Sequence, residues 1–177
     1  SVLPEIMIPL VATRAEVARV REQVVETAES ILEQANQRID YKVGTMIELP
    51  RAALLADEIA QEADFFSFGT NDLSQMTYGF SRDDMGKFFN AYVSEGLLTD
   101  SPLAVFDVEG VGQLVKLGVE KGRSVKNDLK VGVCGEHGGD PKGIGFFHRI
   151  GLDYVSCSPY RVPVARLAAA HAALGLL

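Results

Sequence analysis

The chain has 177 residues and a mass of 19.2 kDa, and its 47% hydrophobic and 23% charged content is typical of one globular domain or a part of one. The net charge of −7 and the lack of a Lys- and Arg-rich run argue against a nucleic acid or an anionic membrane as partner. No apolar run approaches the roughly 20 residues that cross a bilayer, and the first residues do not resemble a signal peptide, so we expect a cytoplasmic location. The two cysteines, Cys134 and Cys157, provide neither a disulfide framework nor the spacing of a zinc site.

Strand-like and helix-like segments alternate along the chain, a pattern typical of βα units that build a parallel sheet. Thr13 and Glu16 form a capping box, which predicts the start of a long first helix whose apolar residues recur at steps of three and four. The strands are predicted over residues 5–10, 43–47, 65–68, 130–134 and 154–157, with the first of them buried. The helices are predicted over residues 14–36, 50–62, 106–121, 142–150 and 163–174.

The longest connection, residues 70–101, follows the third strand, and residues 81–84 within it are expected to cap a short helix. Long connections at the carboxyl end of a strand often carry function. Five βα units fit either an open doubly wound sheet or part of an eight-stranded barrel, and both folds bind ligands at the carboxyl ends of the strands. The first and last strands would each have an uncovered edge, which predicts either a missing partner or missing sequence.

Chemically active residues follow three of the predicted strands. Glu48 follows the second strand, Gly69-Thr70-Asn71-Asp72 ends the third, and Cys134 ends the fourth. The segment from Gly69 to Asp72 gathers backbone N–H groups, a hydroxyl, an amide and a carboxylate, which suits a phosphorylated or carboxylated ligand and a metal. On adjacent parallel strands, Glu48 and Asp72 would be within reach of one Mg²⁺ ion. The spacing is equally consistent with two polar residues that pair with neighbours or with solvent.

Four longer motifs resemble the carboxyl-terminal domain of the pyruvate phosphate dikinase family. They are GTMIELPRAA at residues 44–53, FSFGTNDLSQMTYGFSRDD at 66–84, VCGEHGGDP at 133–141 and LDYVSCSPYRVP at 152–163. The resemblance implies an α/β fold in which five parallel βα units form the later part of a (β/α)8 TIM-type barrel that binds phosphoenolpyruvate (PEP) or pyruvate. It also implies that the whole of residues 1–177 is a partial PEP-binding domain, without the ATP-grasp nucleotide domain and the phosphohistidine domain that precede it in the family.

The resemblance also implies roles for individual residues. Glu48 and Asp72 would bind Mg²⁺, Cys134 would be the proton donor and acceptor at the methyl carbon, and the substrate would contact Glu48, Gly69, Thr70, Asn71 and Asp72. The chemistry requires these groups, because removal of phosphate from PEP leaves an enolate that a cation can stabilise and a thiol can protonate. His137 could hydrogen-bond the substrate or cap its loop, and we expect it to support the site from behind the substrate-contacting residues. Cys157 is expected to pack in the core.

Two alternatives stay open at this point. The first is a fragment of a phosphoenolpyruvate synthase-type enzyme, in which water replaces phosphate as the second phosphoryl acceptor. The second is a truncated, non-catalytic module that self-associates through its open strand edges. We expect the isolated chain to be inactive in the complete dikinase cycle, because the cationic anchors that the family takes from its first barrel strands are not in this sequence. We also expect a homo-oligomer.

Overall fold

A computed structural model describes residues 2–177, which form a five-stranded parallel sheet with helices between the strands. The strands are β1 Glu5–Ile8, β2 Lys42–Ile47, β3 Phe65–Gly69, β4 Lys130–Cys134 and β5 Tyr154–Val155. The helices are α1 Arg14–Gln34, α2 Pro50–Leu54, α3 Ala56–Ala60, α4 Thr70–Tyr78, α5 Met85–Ser94, α6 Val111–Val125, α7 Pro141–Arg149 and α8 Val162–Ala173. Short 3-10 turns occur at Glu136–Gly139 and Pro159–Arg161. None of the helices in residues 2–177 is long and apolar enough to cross a membrane.

The strands lie in the sheet in the same order as in the chain, β1-β2-β3-β4-β5, and every neighbouring pair is parallel. A doubly wound sheet reverses its strand order at a switch point, whereas a barrel adds each strand beside the previous one. The sheet has no such reversal within residues 2–177. The observed order therefore agrees with the predicted part of a TIM-type barrel and not with a doubly wound sheet.

The main core lies between the sheet and the helices that cover its outer face. Phe66 and Phe68 of β3 are fully buried there, together with Val111 and Val115 of α6. Helix α6 approaches the strand closely at Gly118, where a Cβ atom would lie only 2.8 Å from Cζ of Phe68. This close packing fixes the carboxyl end of β3, at which the predicted site residues begin.

The structure differs from the prediction at the starts of two helices near the long connection. Helix α4 begins at Thr70, directly after β3, where the sequence predicted an irregular segment. Its residues Leu73 and Ser74 are buried, so tertiary packing stabilises a helix whose short, polar sequence gives little local signal. Helix α6 begins at Val111 and not at residue 106, because the Asp107 carboxylate accepts hydrogen bonds from the N–H groups of residues 109–111.

The two outer strands are less covered than predicted. In β1 only Ile8 is buried, and Met7 is 39% exposed, because this strand pairs on one side only and lies at the edge of the described sheet. The prediction of a buried first strand was therefore wrong. The last strand is confined to Tyr154 and Val155, and Cys157 lies beyond it, where it packs in part against Ile144, Ala165 and Ala168.

Candidate active site at the carboxyl ends of the strands

The structure brings the residues at the ends of β2, β3 and β4 together. Gly69 is paired with Cys134 in the register of β3 and β4. A Cβ atom at Gly69 would lie 2.5 Å from Oε2 of Glu48, so the absence of a side chain there leaves space for the carboxylate. The parallel strands therefore position the three predicted segments at one edge of the sheet, as the sequence predicted.

Glu48 is the most deeply buried carboxylate of this cluster, with 3% of its surface exposed. The N–H group of Leu10 donates a hydrogen bond of 2.7 Å to its Oε1 atom. Burial raises the pKa of Glu48, and the negative charge of Asp72 raises it further, while the hydrogen bond from Leu10 lowers it. Glu48 and Asp72 thus lie close enough to interact directly.

No Lys, Arg or His side chain in residues 2–177 forms an ion pair with Glu48 or Asp72. Two neighbouring carboxylates without a cationic partner repel one another, and a bound cation would relieve this repulsion. Within the same residues, no cluster of three or more His, Cys, Asp or Glu side chains is arranged to hold a metal. A two-carboxylate donor set fits Mg²⁺, which commonly takes one or two carboxylates and completes its shell with water and substrate oxygens.

Thr70 and Asn71 make contacts within the protein. The Thr70 side chain is fully buried, and its hydroxyl oxygen lies 3.1 Å from the carbonyl oxygen of Cys134. The Asn71 Oδ1 atom accepts a hydrogen bond of 3.2 Å from the N–H group of Glu136. Both residues therefore link the start of α4 to the segment after β4, and their predicted contact with substrate stays a prediction.

The thiol of Cys134 is half-buried and donates a hydrogen bond to the carbonyl oxygen of Phe68, with 3.7 Å between Sγ and oxygen. Burial raises the pKa of this thiol, the neighbouring Ser67 side chain lowers it, and the charges of Glu48 and Asp72 raise it. A raised pKa keeps the thiol protonated at neutral pH. The group can therefore act as a proton donor beside two carboxylates.

Residues 2–174 match the family described as PEP-utilising enzyme, PEP-binding domain. The chain belongs to this family. It is 58% identical over 171 residues to pyruvate, phosphate dikinase 1 of Arabidopsis thaliana, covering 97% of this chain and 18% of the relative. It is also 58% identical over 173 residues to the pyruvate, phosphate dikinase of Clostridium symbiosum, covering 98% of this chain and 20% of the relative. The chain thus spans about a fifth of the length of these curated relatives, and the predicted resemblance is confirmed.

The fold of the chain is similar to that of a citrate synthase, SbnG, whose crystal structure has been solved. The TM-score is 0.52 at 16% sequence identity, with 97% of this chain and 62% of that chain covered. At this identity the likeness concerns the fold alone. It agrees with a parallel α/β architecture that forms part of a TIM-type barrel, so the predicted fold class is confirmed.

Two residues that support the candidate site, Leu10 and His137, were missed or only weakly indicated by the sequence. Leu10 has a positive φ of 54°, a conformation that is unfavourable for leucine, and it donates the hydrogen bond that Glu48 accepts. His137 is fully buried between the two site segments. No local pattern predicts the first contact, because it joins residues 38 positions apart. For His137, the only signal in the sequence was the glycine-rich segment around it.

Proposed function

We propose that this chain is the PEP- and pyruvate-binding part of a pyruvate phosphate dikinase, with Mg²⁺ as cofactor. The observation that carries the proposal is the buried carboxylate of Glu48 beside Asp72, without a cationic partner in residues 2–177 and at the same strand ends as the half-buried thiol of Cys134. The dikinase names of the relatives favour phosphate over water as the second phosphoryl acceptor. The nucleotide and phosphohistidine domains would be supplied by a longer chain.

In the proposed site, Glu48 and Asp72 hold the metal. When bound, Mg²⁺ supplies positive charge that orients the substrate and stabilises negative charge on its oxygen. Gly69 has no side chain to displace the Glu48 carboxylate, so this carboxylate can lie directly against the end of β3. The buried position of Glu48 and its hydrogen bond from Leu10 fix one carboxylate oxygen, so that the other remains for coordination.

Cys134 carries out the proton transfer in this proposal. The thiol gives its proton to the methylene carbon of the enolate, forming the methyl group of pyruvate and leaving a thiolate. In the reverse direction, the thiolate removes a methyl proton and becomes a thiol again. Burial and the two nearby carboxylates raise the pKa of Cys134, which favours the protonated form of the thiol at neutral pH.

Calorimetric titration of the 177-residue chain with oxalate, a planar mimic of the pyruvate enolate, tests the binding part of the proposal. We expect binding that requires Mg²⁺ and that is lost in Asp72→Asn. Asp83→Asn is the matched control, because Asp83 is exposed and lies outside the site. If oxalate and PEP both fail to bind a folded wild-type chain in the presence of Mg²⁺, the alternative of a non-catalytic, self-associating module is favoured.

A cytoplasmic location stays a prediction.

A further inference from the structure

His137 connects the segment after β3 to the segment after β4. Its Nδ1 atom lies 2.9 Å from the Thr70 hydroxyl oxygen, and its Nε2 atom lies 3.1 Å from the carbonyl oxygen of Pro102. The side chain is fully buried, and the ring of Phe106 packs against it at a centroid distance of 5.5 Å. The imidazole is therefore held from both sides, with one nitrogen directed at the first residue of α4.

The number of protons restricts how this network can be arranged. The Pro102 carbonyl can only accept a hydrogen bond, and the Thr70 hydroxyl has one proton for two neighbours, His137 Nδ1 and the Cys134 carbonyl. Only an imidazolium would allow all three hydrogen bonds to form at once. Burial lowers the pKa of His137, while Pro102, Asp140 and Glu136 raise it and Arg161 lowers it, so the neutral ring is favoured at pH 7.

For a neutral ring, one of the three contacts must lack its proton. The contacts of His137 with Thr70 and Pro102 are buried, whereas the contact of Thr70 with Cys134 is only partly buried. An unsatisfied polar group costs less free energy where water or a ligand can reach it. The preferred arrangement therefore has a proton on Nε2, donated to Pro102, and the Thr70 proton donated to Nδ1.

We propose that His137, as the neutral tautomer with its proton on Nε2, is a positioning residue that fixes Thr70 and thereby holds Asn71 and Asp72 in register with Cys134. The expected effect of His137 on ligand binding rests on the proposed function, whereas the tautomer of His137 does not. Thr70 starts the helix that carries Asp72, and its other neighbour is the carbonyl oxygen of Cys134. Releasing the Thr70 side chain would loosen the metal-binding and proton-transferring segments together.

Nitrogen NMR of histidine-labelled 177-residue chain tests the tautomer directly. At pH 7 we expect the Nε2 atom of His137 to carry the proton and Nδ1 to give the shift of a hydrogen-bonded, unprotonated nitrogen. In Thr70→Val we expect the Nδ1 signal to move to the position of a free nitrogen, because the hydroxyl donor is gone. A proton on Nδ1, or a doubly protonated ring at pH 7, would overturn the inference.

Two substitutions separate positioning from folding. The amide of asparagine reaches the place of Nδ1, and the amide of glutamine reaches the place of Nε2. We expect His137→Gln, which keeps only the Pro102 contact, to weaken Mg²⁺-dependent oxalate binding by about fivefold to tenfold. His137→Asn keeps the Thr70 contact. It should lower the melting temperature by about as much as His137→Gln does, but it should weaken oxalate binding clearly less. His148→Gln, on the exposed face of α7, is the control.

Combining His137→Gln with Thr70→Val should weaken binding no further than Thr70→Val alone, because that change already removes the hydrogen bond that His137→Gln loses. If the affinities of the asparagine and glutamine variants fall in proportion to their melting temperatures, the role of His137 is structural only and the inference fails. If the wild-type chain binds no oxalate, the proposed function fails, and the nitrogen shifts still decide the tautomer. The two failures are therefore distinguishable.

Discussion

Lys130 on β4 and Glu5 on β1 form an ion pair across the concave face of the sheet, with Nζ 2.8 Å from Oε1 and 2.9 Å from Oε2. Two strands lie between them, so a flat sheet would separate β1 from β4 by about 14 Å. The contact therefore requires that the sheet curls towards this face, as in a barrel wall. The ring of Tyr154 lies beneath the same ammonium group, with 4.9 Å from Nζ to the ring centroid.

We expect this ion pair to contribute modestly to stability, because its side chains remain 39% and 27% exposed. A double-mutant cycle of Lys130→Met and Glu5→Gln, measured by urea unfolding, should give a coupling free energy of about 0.5 kcal/mol. The hydrogen bond with Glu5 raises the pKa of Lys130, so its contribution is complete below the unfolded-state pKa near ~10.4 and is lost as the pH rises through the folded-state value. The coupling should therefore be the same at pH 7 and pH 9.

Glu48 should reduce the stability of the metal-free chain at neutral pH. Burial and Asp72 raise its pKa, so its favourable contribution is present below the unfolded-state pKa near ~4.3 and is lost as the pH rises through the folded-state value. Glu48→Gln removes the buried charge and keeps an acceptor for the Leu10 N–H group. We expect the variant to melt about 2–4 °C higher than wild type at pH 7, and the difference to vanish near pH 4.

The same substitution should remove the effect of Mg²⁺. Wild-type chain should gain melting temperature as Mg²⁺ is added, because a ligand that binds only the folded state stabilises it. Glu48→Gln should not respond to the metal. Glu58→Gln, a second glutamate outside the strand ends, serves as control and should respond like wild type. A Glu48→Gln variant that is less stable than wild type at pH 7 without metal would contradict the assigned electrostatics.

The sequence predicted the five strands and their parallel arrangement because hydrophobic runs and helix caps are local signals. Thr13 and Glu16 form the predicted capping box, and Pro50 opens α2. The start of α6 was misplaced by several residues, because the decisive group, the Asp107 carboxylate, binds backbone ahead of the helix and leaves no hydrophobic pattern. The strand order also required the structure, because no local pattern distinguishes a barrel from a doubly wound sheet.

The chemical identity of the site residues could be predicted, whereas their supporting contacts could not. The carboxyl ends of parallel strands lie at the same edge of a sheet. Because β2, β3 and β4 are parallel, this rule alone brings together Glu48, Asp72 and Cys134. The contacts that hold them come from distant positions, such as Leu10 with Glu48 and His137 with Thr70. Such contacts depend on loop conformations that a single sequence does not reveal.

Gly118 should be intolerant of a side chain. A Cβ atom there would lie 2.8 Å from Cζ and 3.0 Å from Cε1 of Phe68, which is itself fully buried. We expect Gly118→Ala to lower the free energy of unfolding by about 1–2 kcal/mol, because overpacking outweighs the better helix propensity of alanine. Gly86→Ala in α5 is the matched control, since nothing lies within 4 Å of that position, and it should stabilise the chain by up to about 1 kcal/mol. Equal effects in urea unfolding would contradict the packing.

The isolated chain should self-associate. Within residues 2–177, β1 pairs only with β2 and β5 pairs only with β4, so each outer strand has a free edge. Exposed apolar side chains accompany these edges, including Met7 on β1 and Leu167 on α8, at 39% and 59% exposure. Sedimentation velocity in a dilution series should show species larger than a monomer at micromolar concentration. A single monomer peak across the series would exclude this expectation.

Alkylation of Cys134 should report on Mg²⁺ binding without any need for catalysis. The thiolate is the reactive form, and the charges of Glu48 and Asp72 add to burial in raising the pKa of this thiol. In a Cys157→Ser background, the rate of reaction with iodoacetamide should therefore reach its midpoint above the ordinary cysteine pKa near ~8.5.

Mg²⁺ bound to the two carboxylates would neutralise their charge, lower the pKa of Cys134 and speed alkylation at pH 8 by about twofold to fivefold. The acceleration should disappear in Asp72→Asn, and it should persist in the control Asp83→Asn. Alkylation followed by mass spectrometry measures these rates on the folded chain. An unchanged rate with Mg²⁺ would mean either that the metal does not bind near the thiol or that the carboxylates do not influence it. A Mg²⁺-dependent rise in the melting temperature of the same wild-type sample would exclude the first explanation, because the metal would then be bound.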